Sequence, residues 1–451
     1  MNKMLTLKIR MWALLTGMMT IFISSIIVGV LSHFFYWLLF DSFGRSQQRN
    51  NRKLKLTNKQ KDDEYYAIII GTGFSGLGMA IRLNKLGMRN YILLERHDEV
   101  GGTWYANTYP GCACDVPSTL YSFSFEPNPN WSHYFARQGE IGAYLKYCAD
   151  KYKLRSSIRF NTNVTELRWL EDRQLWQVKA QSREGPCTFY GRSIVLGTGP
   201  LSNASYPENI VGIKSFQGKM CHTAAWDKTI DFKNKRVAIV GTGASAIQAV
   251  PEIHQMGVSK LYVFQRTAPW IVPRIDRPLN ERGKEIFRRF PLLQKLVRLL
   301  IYWATESFAL SFVYRWPLRF IMQSLVRCNL EIEVPNEKLR KLVTPKWEFG
   351  CKRMLLTTNW YSTLQKSNVQ LVTSAIQELT SDSIRTQTGD EFPVDIIIWS
   401  TGFQTQTFPL SVYGVNRQSL IDRWSHSIQV NSCLKFKMNF IGLFFFYSFL
   451  F

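Results

Sequence analysis

Tyr65-Tyr66-Ala67-Ile68-Ile69-Ile70-Gly71-Thr72-Gly73-Phe74-Ser75-Gly76 runs from a β-rich segment through a glycine turn into a stretch with helical spacing. In that setting G-x-G-x-x-G is the turn that seats a nucleotide phosphate. Gly71 permits the tight turn and Gly73 lets the backbone approach a pyrophosphate. Gly76 lets helix and strand pack closely, and Phe74 and Ser75 open the helix whose N-terminus faces the phosphate charge. The next apolar strand, Tyr91 to Leu94, ends at Glu95. A carboxylate there accepts hydrogen bonds from a ribose diol and suits a nucleotide without a 2'-phosphate, FAD or NAD.

The same device recurs. Arg236 to Val240 lead into Gly241-Thr242-Gly243-Ala244-Ser245-Ala246, and Lys260 to Phe264 form the following strand. The strand end differs: Glu95 is replaced by Gln265-Arg266-Thr267, and a guanidinium beside a hydroxyl suits a 2'-phosphate better than a diol. The pair therefore reads as FAD in the first site and NADPH in the second. The expected fold class is α/β, with parallel sheets in two Rossmann-like dinucleotide-binding domains.

The composition, 451 residues with 46% hydrophobic and 14% aromatic, excludes a disordered chain. A net charge of +23 favours anionic partners, and no nucleic-acid reading module accompanies it. Cys112 and Cys114 are separated by one residue, a spacing that fits neither a zinc knuckle nor a C-x-x-C redox pair, and no metal site is expected.

From Met11 to Phe40 no Asp, Glu, Lys or Arg occurs, a run longer than the roughly 20 residues that cross a bilayer. It ends in His33-Phe34-Phe35-Tyr36-Trp37, an aromatic belt rather than a signal-peptide cleavage site. The expectation is a single-pass transmembrane helix, in the endoplasmic reticulum. Arg45, Arg49, Arg52, Lys53 and Lys55 follow it more densely than Lys3, Lys8 and Arg10 precede it, which orients the large C-terminal part to the cytosol.

The expected division is a tail at 1–10, the transmembrane helix at 11–40 and a basic linker at 41–64. The first part of the FAD-binding domain follows at 65–205, and the NADPH-binding domain at 206–375 with a helical insertion at about 280–346. A return to the FAD domain is expected at 376–425 and a divergent apolar tail at 426–451. The insertion mixes Arg and Lys with Phe287, Phe290, Tyr302 and Trp303 and reads as a helical subdomain with solvated charges, the other reading being an amphipathic surface apposed to a membrane.

Between the two turns stands Phe216-x-Gly218-x-x-x-His222-x-x-x-Trp226-Asp227. With this fingerprint the chain resembles the Baeyer-Villiger monooxygenases of the flavin-containing monooxygenase superfamily. Gly101-Gly102-Thr103-Trp104, Tyr109 to Asp115, Gly350-Cys351-Lys352-Arg353 and Asp395 to Phe403 extend the resemblance over roughly residues 65 to 425. It implies that Gly102, Thr103, Trp104, Asp115, Tyr121 and Val164 contact FAD, that Lys352 joins Arg266 and Thr267 on the NADPH 2'-phosphate, and that Arg353 is the catalytic arginine with Asp115 beside it. The implied reaction inserts one oxygen atom of O2 into a small ketone, or into a sulfide as a side activity, through a flavin C4a-peroxide. His222 is read as a hydrogen-bonded structural residue of a hinge between the two domains.

Past Trp424 the family pattern stops, where relatives carry a further segment that returns to the flavin domain. Two rival readings follow: an amine or sulfide oxygenase that needs no arginine at the flavin, and a truncated, inactive, membrane-bound form. No protein partner is implied.

Overall fold

A computed structural model describes residues 64–313, 318–404, 410–423 and 443–445. In chain order the first unit contains β1 (Glu64–Ile70), α1 (Phe74–Lys85), β2 (Tyr91–Leu94), α2 (Thr103–Ala106), α3 (Gln138–Lys151), β3 (Ile158–Arg159), β4 (Asn163–Leu170), β5 (Leu175–Ser182) and β6 (Gly185–Leu196). The second unit contains β7 (Lys219–His222), β8 (Arg236–Val240), α4 (Ala244–Gln255), β9 (Lys260–Phe264) and β10 (Ile271–Pro273). Four helices follow: α5 (Glu281–Arg289), α6 (Pro291–Val313), α7 (Leu318–Glu333) and α8 (Glu337–Val343). The chain continues through β11 (Leu355–Thr357), β12 (Val369–Val372), β13 (Ile376–Leu379), β14 (Ser383–Thr386), β15 (Glu391–Pro393), β16 (Ile396–Trp399), β17 (Ser411–Tyr413) and β18 (Leu443–Phe445).

The second sheet, β12-β9-β8-β16-β7, is parallel throughout. Its central strands are buried on both faces, which is why β16 reads Ile-Ile-Ile-Trp without alternation. The first sheet, β17-β4-β5-β6-β1-β2-β3, departs from the all-parallel expectation. Its β4, β5 and β6 form an antiparallel meander, and β4 alternates between exposed and buried residues, the pattern of a sheet with one covered face. Ile69, Leu77 and Leu93 of the first unit share one apolar cluster with Val237, Ile247 and Leu261 of the second, so the core runs across the junction.

One boundary shifts from the sequence expectation. β13, β14 and β15 form their own antiparallel sheet and β16 is inserted beside β8 in the second. The crossing back to the first unit thus falls after Trp399 rather than at residue 376, because the Ile396–Trp399 strand completes the nucleotide sheet. Within the tail, β18 pairs in parallel with Ile194–Leu196 of β6, on the side that β5 leaves free beyond Gly191. A strand of the tail therefore does return to the first sheet.

The membrane expectation is corrected. Among the described residues no helix is long and apolar enough to cross a membrane. Residues 11–40 lie outside the described residues, and the assignment to a single-pass protein of the endoplasmic reticulum is withdrawn.

Candidate active site

α1 starts directly after Gly73, with no side-chain cap and no acid in its first turn, where Ser75 is half-buried. Its first backbone N–H groups are left for an external acceptor, as an anion site at a helix N-terminus requires. Gly71, Gly73, Glu95, Gly102, Thr103 and Val164 line one cleft of about 350 Å³ beside that terminus. Gly76 is buried in the first turn of α1. Glu95 is buried, and its Oε2 accepts from the Thr72 N–H at 2.9 Å and hydroxyl at 2.6 Å while Oε1 accepts from the His97 N–H at 3.0 Å. A carboxylate has about four acceptor positions. One remains for a ligand hydroxyl. At Val164 the β4–β5 register slips, and such a bulge turns backbone groups out of the ladder.

Phe74, Trp104 and Tyr121 form a separate aromatic wall. The Trp104 Nε1–H donates to the Tyr121 hydroxyl at 3.0 Å, and the Phe74 and Tyr121 rings meet edge to face at 5.0 Å. Burial raises the Tyr121 pKa, so the phenol remains neutral.

Asp115 and Arg353, 238 residues apart, form an ion pair. Asp115 is half-buried and Arg353 exposed. Arg353 comes from the segment that leads into β11, which pairs in parallel with β10. The end of β10 delivers a second cation, Arg274. It is buried, its guanidinium lies 4.9 Å from the Phe135 ring, and Asp276 pairs with it at 3.3 Å. Burial draws the Arg274 pKa down and Asp276 opposes that effect. Burial pushes the neighbouring thiols up, Cys112 to about 11 and Cys114 to about 12, so neither is a thiolate at neutral pH.

The second turn repeats the first. α4 begins after Gly243 with no side-chain cap and no acid in its first turn, which holds half-buried Ser245 and buried Ala246. Gly241 receives its own backbone bond, donating to the Phe264 carbonyl at 3.0 Å. Arg266 and Thr267 are exposed where β9 ends, and the Thr267 carbonyl accepts from the Thr242 hydroxyl at 3.1 Å. The Trp347 Nε1–H donates to the Ala268 carbonyl at 2.9 Å, and the Lys352 ammonium lies 5.4 Å from the Trp347 ring. Trp347 thus links Lys352 to the segment that follows Thr267.

His222 is fully buried where the two units exchange chain. Its Nδ1 accepts from the Ala224 N–H at 2.9 Å, its Nε2 lies 3.3 Å from the Thr401 hydroxyl, and that hydroxyl donates to the Ser205 carbonyl. The network assigns the Nε2–H tautomer. Residues 203–205 leave the first unit and 402–404 re-enter it. Ser205 donates to Gly402 and Gln404 donates to Asn203, both at 2.9 Å. His222 therefore latches a ribbon made of both crossings. Burial lowers its pKa from the ordinary histidine value. The unfolded chain takes up this proton at about pH 6.5, whereas the folded chain resists it. The group costs no stability above that pH and an increasing amount as pH falls below it. The expected result is a wild-type melting temperature that drops between pH 7 and 5.5 more steeply than that of His222→Asn. Parallel curves would assign the slope to other groups.

Sequence reasoning missed Gln248. On α4, among buried Ala246, Ile247, Ala249 and Val250, its Oε1 accepts from the Tyr109 hydroxyl at 2.8 Å and its Nε2 donates to the Ala113 carbonyl at 3.0 Å. It ties the second nucleotide helix to the loop that carries Asp115. The loop approaches so closely that a Cβ on Gly111, itself at φ +78°, would lie 2.5 Å from the Gln248 carbonyl oxygen. An amide on an otherwise apolar helix face was the available signal.

Residues 68–285 match the pyridine nucleotide-disulphide oxidoreductase family. A Baeyer-Villiger monooxygenase of Pseudomonas aeruginosa is 44% identical over 361 residues, which cover 79% of this chain and 67% of that protein. A second, from Streptomyces coelicolor, is 38% identical over 376 residues, 82% of this chain and 71% of the relative. The crystal structure of OTEMO in complex with FAD and NADP superposes with a TM-score of 0.74 at 29% identity, covering 85% of this chain and 80% of the other. With two nucleotide turns, an arginine–aspartate pair that joins the two units and relatives of this identity, the chain belongs to the Baeyer-Villiger monooxygenases.

Proposed function

We propose that this chain is an FAD- and NADPH-dependent monooxygenase that inserts one oxygen atom of O2 beside the carbonyl of a small ketone, with sulfides as secondary substrates. The observation that carries the reading is the Arg353–Asp115 pair, placed where the loop from the first nucleotide unit meets the β10–β11 ribbon of the second. The donor sets fit the two nucleotides. The open N-terminus of α1, Glu95 with its remaining acceptor position, and the Phe74–Trp104–Tyr121 wall suit FAD. The open N-terminus of α4 and the Arg266, Thr267 and Lys352 rim suit NADPH. When bound, NADPH supplies a hydride to FAD, and the reduced flavin supplies the electrons that activate O2.

The Arg353 guanidinium sets a positive charge against the negative charge that develops on the substrate oxygen. Asp115 orients the guanidinium, and Gln248 holds the Asp115 loop against the helix of the second site. Phe74 opens α1 and so joins the aromatic wall to the helix end at the first site.

A visible absorption spectrum of the full chain, taken before and after anaerobic NADPH addition, tests the reading. A flavin band that bleaches with NADPH and returns with oxygen is expected. A protein that stays colourless after incubation with FAD would overturn the proposal and leave the inactive form standing.

A further inference from the structure

α6 belongs to the second unit by sequence but is seated on the first. Gln294, itself buried, donates from Nε2 to the Asn128 carbonyl at 2.7 Å. Four residues on, and so on the same helix face, Arg298 donates from Nη1 to the carbonyls of Thr119 at 2.9 Å and Leu120 at 2.8 Å, and to the Ser122 hydroxyl at 3.3 Å. Those three acceptors bracket Tyr121. They sit in a tight turn in which the Pro117 carbonyl accepts from both the Leu120 and Tyr121 N–H groups at 2.9 Å, and Thr119, Leu120 and Ser122 are all buried. Carbonyls gathered inside protein need donors there. The donors come from a helix more than 170 residues further along the chain. Tyr121 in turn accepts from Trp104 and meets Phe74 edge to face.

We infer that Arg298 is a positioning residue: from the helical insertion of the nicotinamide-nucleotide unit it fixes the turn that aims Tyr121, and through it Trp104, at the flavin. The inference rests on the reading that FAD occupies the first site. A methionine at 298 keeps the length and apolar stem of the side chain and removes every donor. Lysine keeps the charge but loses the planar fork that serves several acceptors at once. Gln294→Ala releases α6 from Asn128 and leaves the Tyr121 turn alone, which separates aim from anchorage.

The experiment measures FAD affinity by flavin fluorescence, the near-ultraviolet circular dichroism of the flavin-free protein, and the share of NADPH oxidation that ends in hydrogen peroxide. For Arg298→Met the expected result is FAD affinity weaker by about tenfold, an altered aromatic dichroism and a raised peroxide share, with Gln294→Ala within twofold of wild type on each. Wild-type values for Arg298→Met, or an equal loss in Gln294→Ala, overturn the inference. Should Arg298→Met fail to fold, Arg298→Lys carries the test, with smaller changes of the same sign expected and wild-type values overturning it. A wild-type chain that binds no FAD sinks the proposed function instead, and the dichroism, which needs no flavin, still decides the role of Arg298.

Discussion

Arg353→Ala is expected to lower ketone oxygenation by about 10²- to 10³-fold, the usual loss when a fixed donor to a developing anion is removed. The flavin is expected to stay bound, because Phe74, Trp104, Tyr121 and Glu95 do not depend on the arginine. NADPH oxidation is expected to continue, with oxygen released as hydrogen peroxide instead of entering product. Arg353 is exposed and its partner Asp115 half-buried, so the pair holds geometry more than stability, and the melting temperature should change little. Arg353→Lys keeps the charge and loses the fork that Asp115 grips, so it should fall between wild type and alanine. Ketone oxygenation within a few-fold of wild type in the alanine variant would remove the arginine from the chemistry, whereas ketone oxygenation absent from the wild type and sulfide oxygenation spared in the variant would favour the amine or sulfide oxygenase reading. The measurement is product formation against NADPH consumed, which separates failed transfer from failed reduction.

What the sequence disclosed follows from how local each signal is. The strands around Gly71 and Gly241 lie where their apolar runs ended, because a central parallel strand is buried on both faces and cannot hide in an alternating pattern. Arg353 and Asp115 were named from a resemblance. No spacing rule connects residues 238 positions apart, and only the fold brings them into one ion pair. The alternation in Asn163–Leu170 was present in the sequence and announced an antiparallel meander, yet the two nucleotide turns drew the reading toward parallel sheets.

The rest was out of reach because it depends on contact between units. β16 joins the second sheet by pairing with β8 and β7, and its Ile-Ile-Ile-Trp sequence would serve either sheet equally well. Gln248 and Arg298 are polar residues on helices, and sequence alone treats such residues as solvated. Their partners are backbone carbonyls, which carry no sequence signature. The long apolar run at Met11–Phe40 gave the most emphatic sequence signal, but it lies outside the described residues, among which no helix is long and apolar enough to cross a membrane.

The two glycines of the second turn should fail in different ways when each becomes alanine. Gly241 sits at φ +119°, and a Cβ there would lie 2.4 Å from the Ser400 carbonyl oxygen at the end of β16. The backbone strain alone costs about 1–3 kcal/mol. The collision also pushes β8 away from the strand that closes the sheet, so Gly241→Ala should lower the melting temperature by several degrees and lose NADPH binding with it. Gly243 has φ −78°, which alanine adopts freely, and a Cβ built there meets nothing within 4 Å. Gly243→Ala should therefore melt with the wild type. Its methyl group projects over the uncapped start of α4, where a pyrophosphate must approach, and a tenfold or greater rise in the NADPH dissociation constant is expected, about 1.4 kcal/mol. Calorimetric melting and NADPH titration of both variants distinguish the roles. A Gly243→Ala protein with unchanged NADPH affinity would mean that the pyrophosphate does not rest on this helix, and the assignment of Arg266, Thr267 and Lys352 to its 2'-phosphate would fall with it. A Gly243→Ala protein that melts as early as Gly241→Ala would show that the open space above the turn is needed by the fold itself.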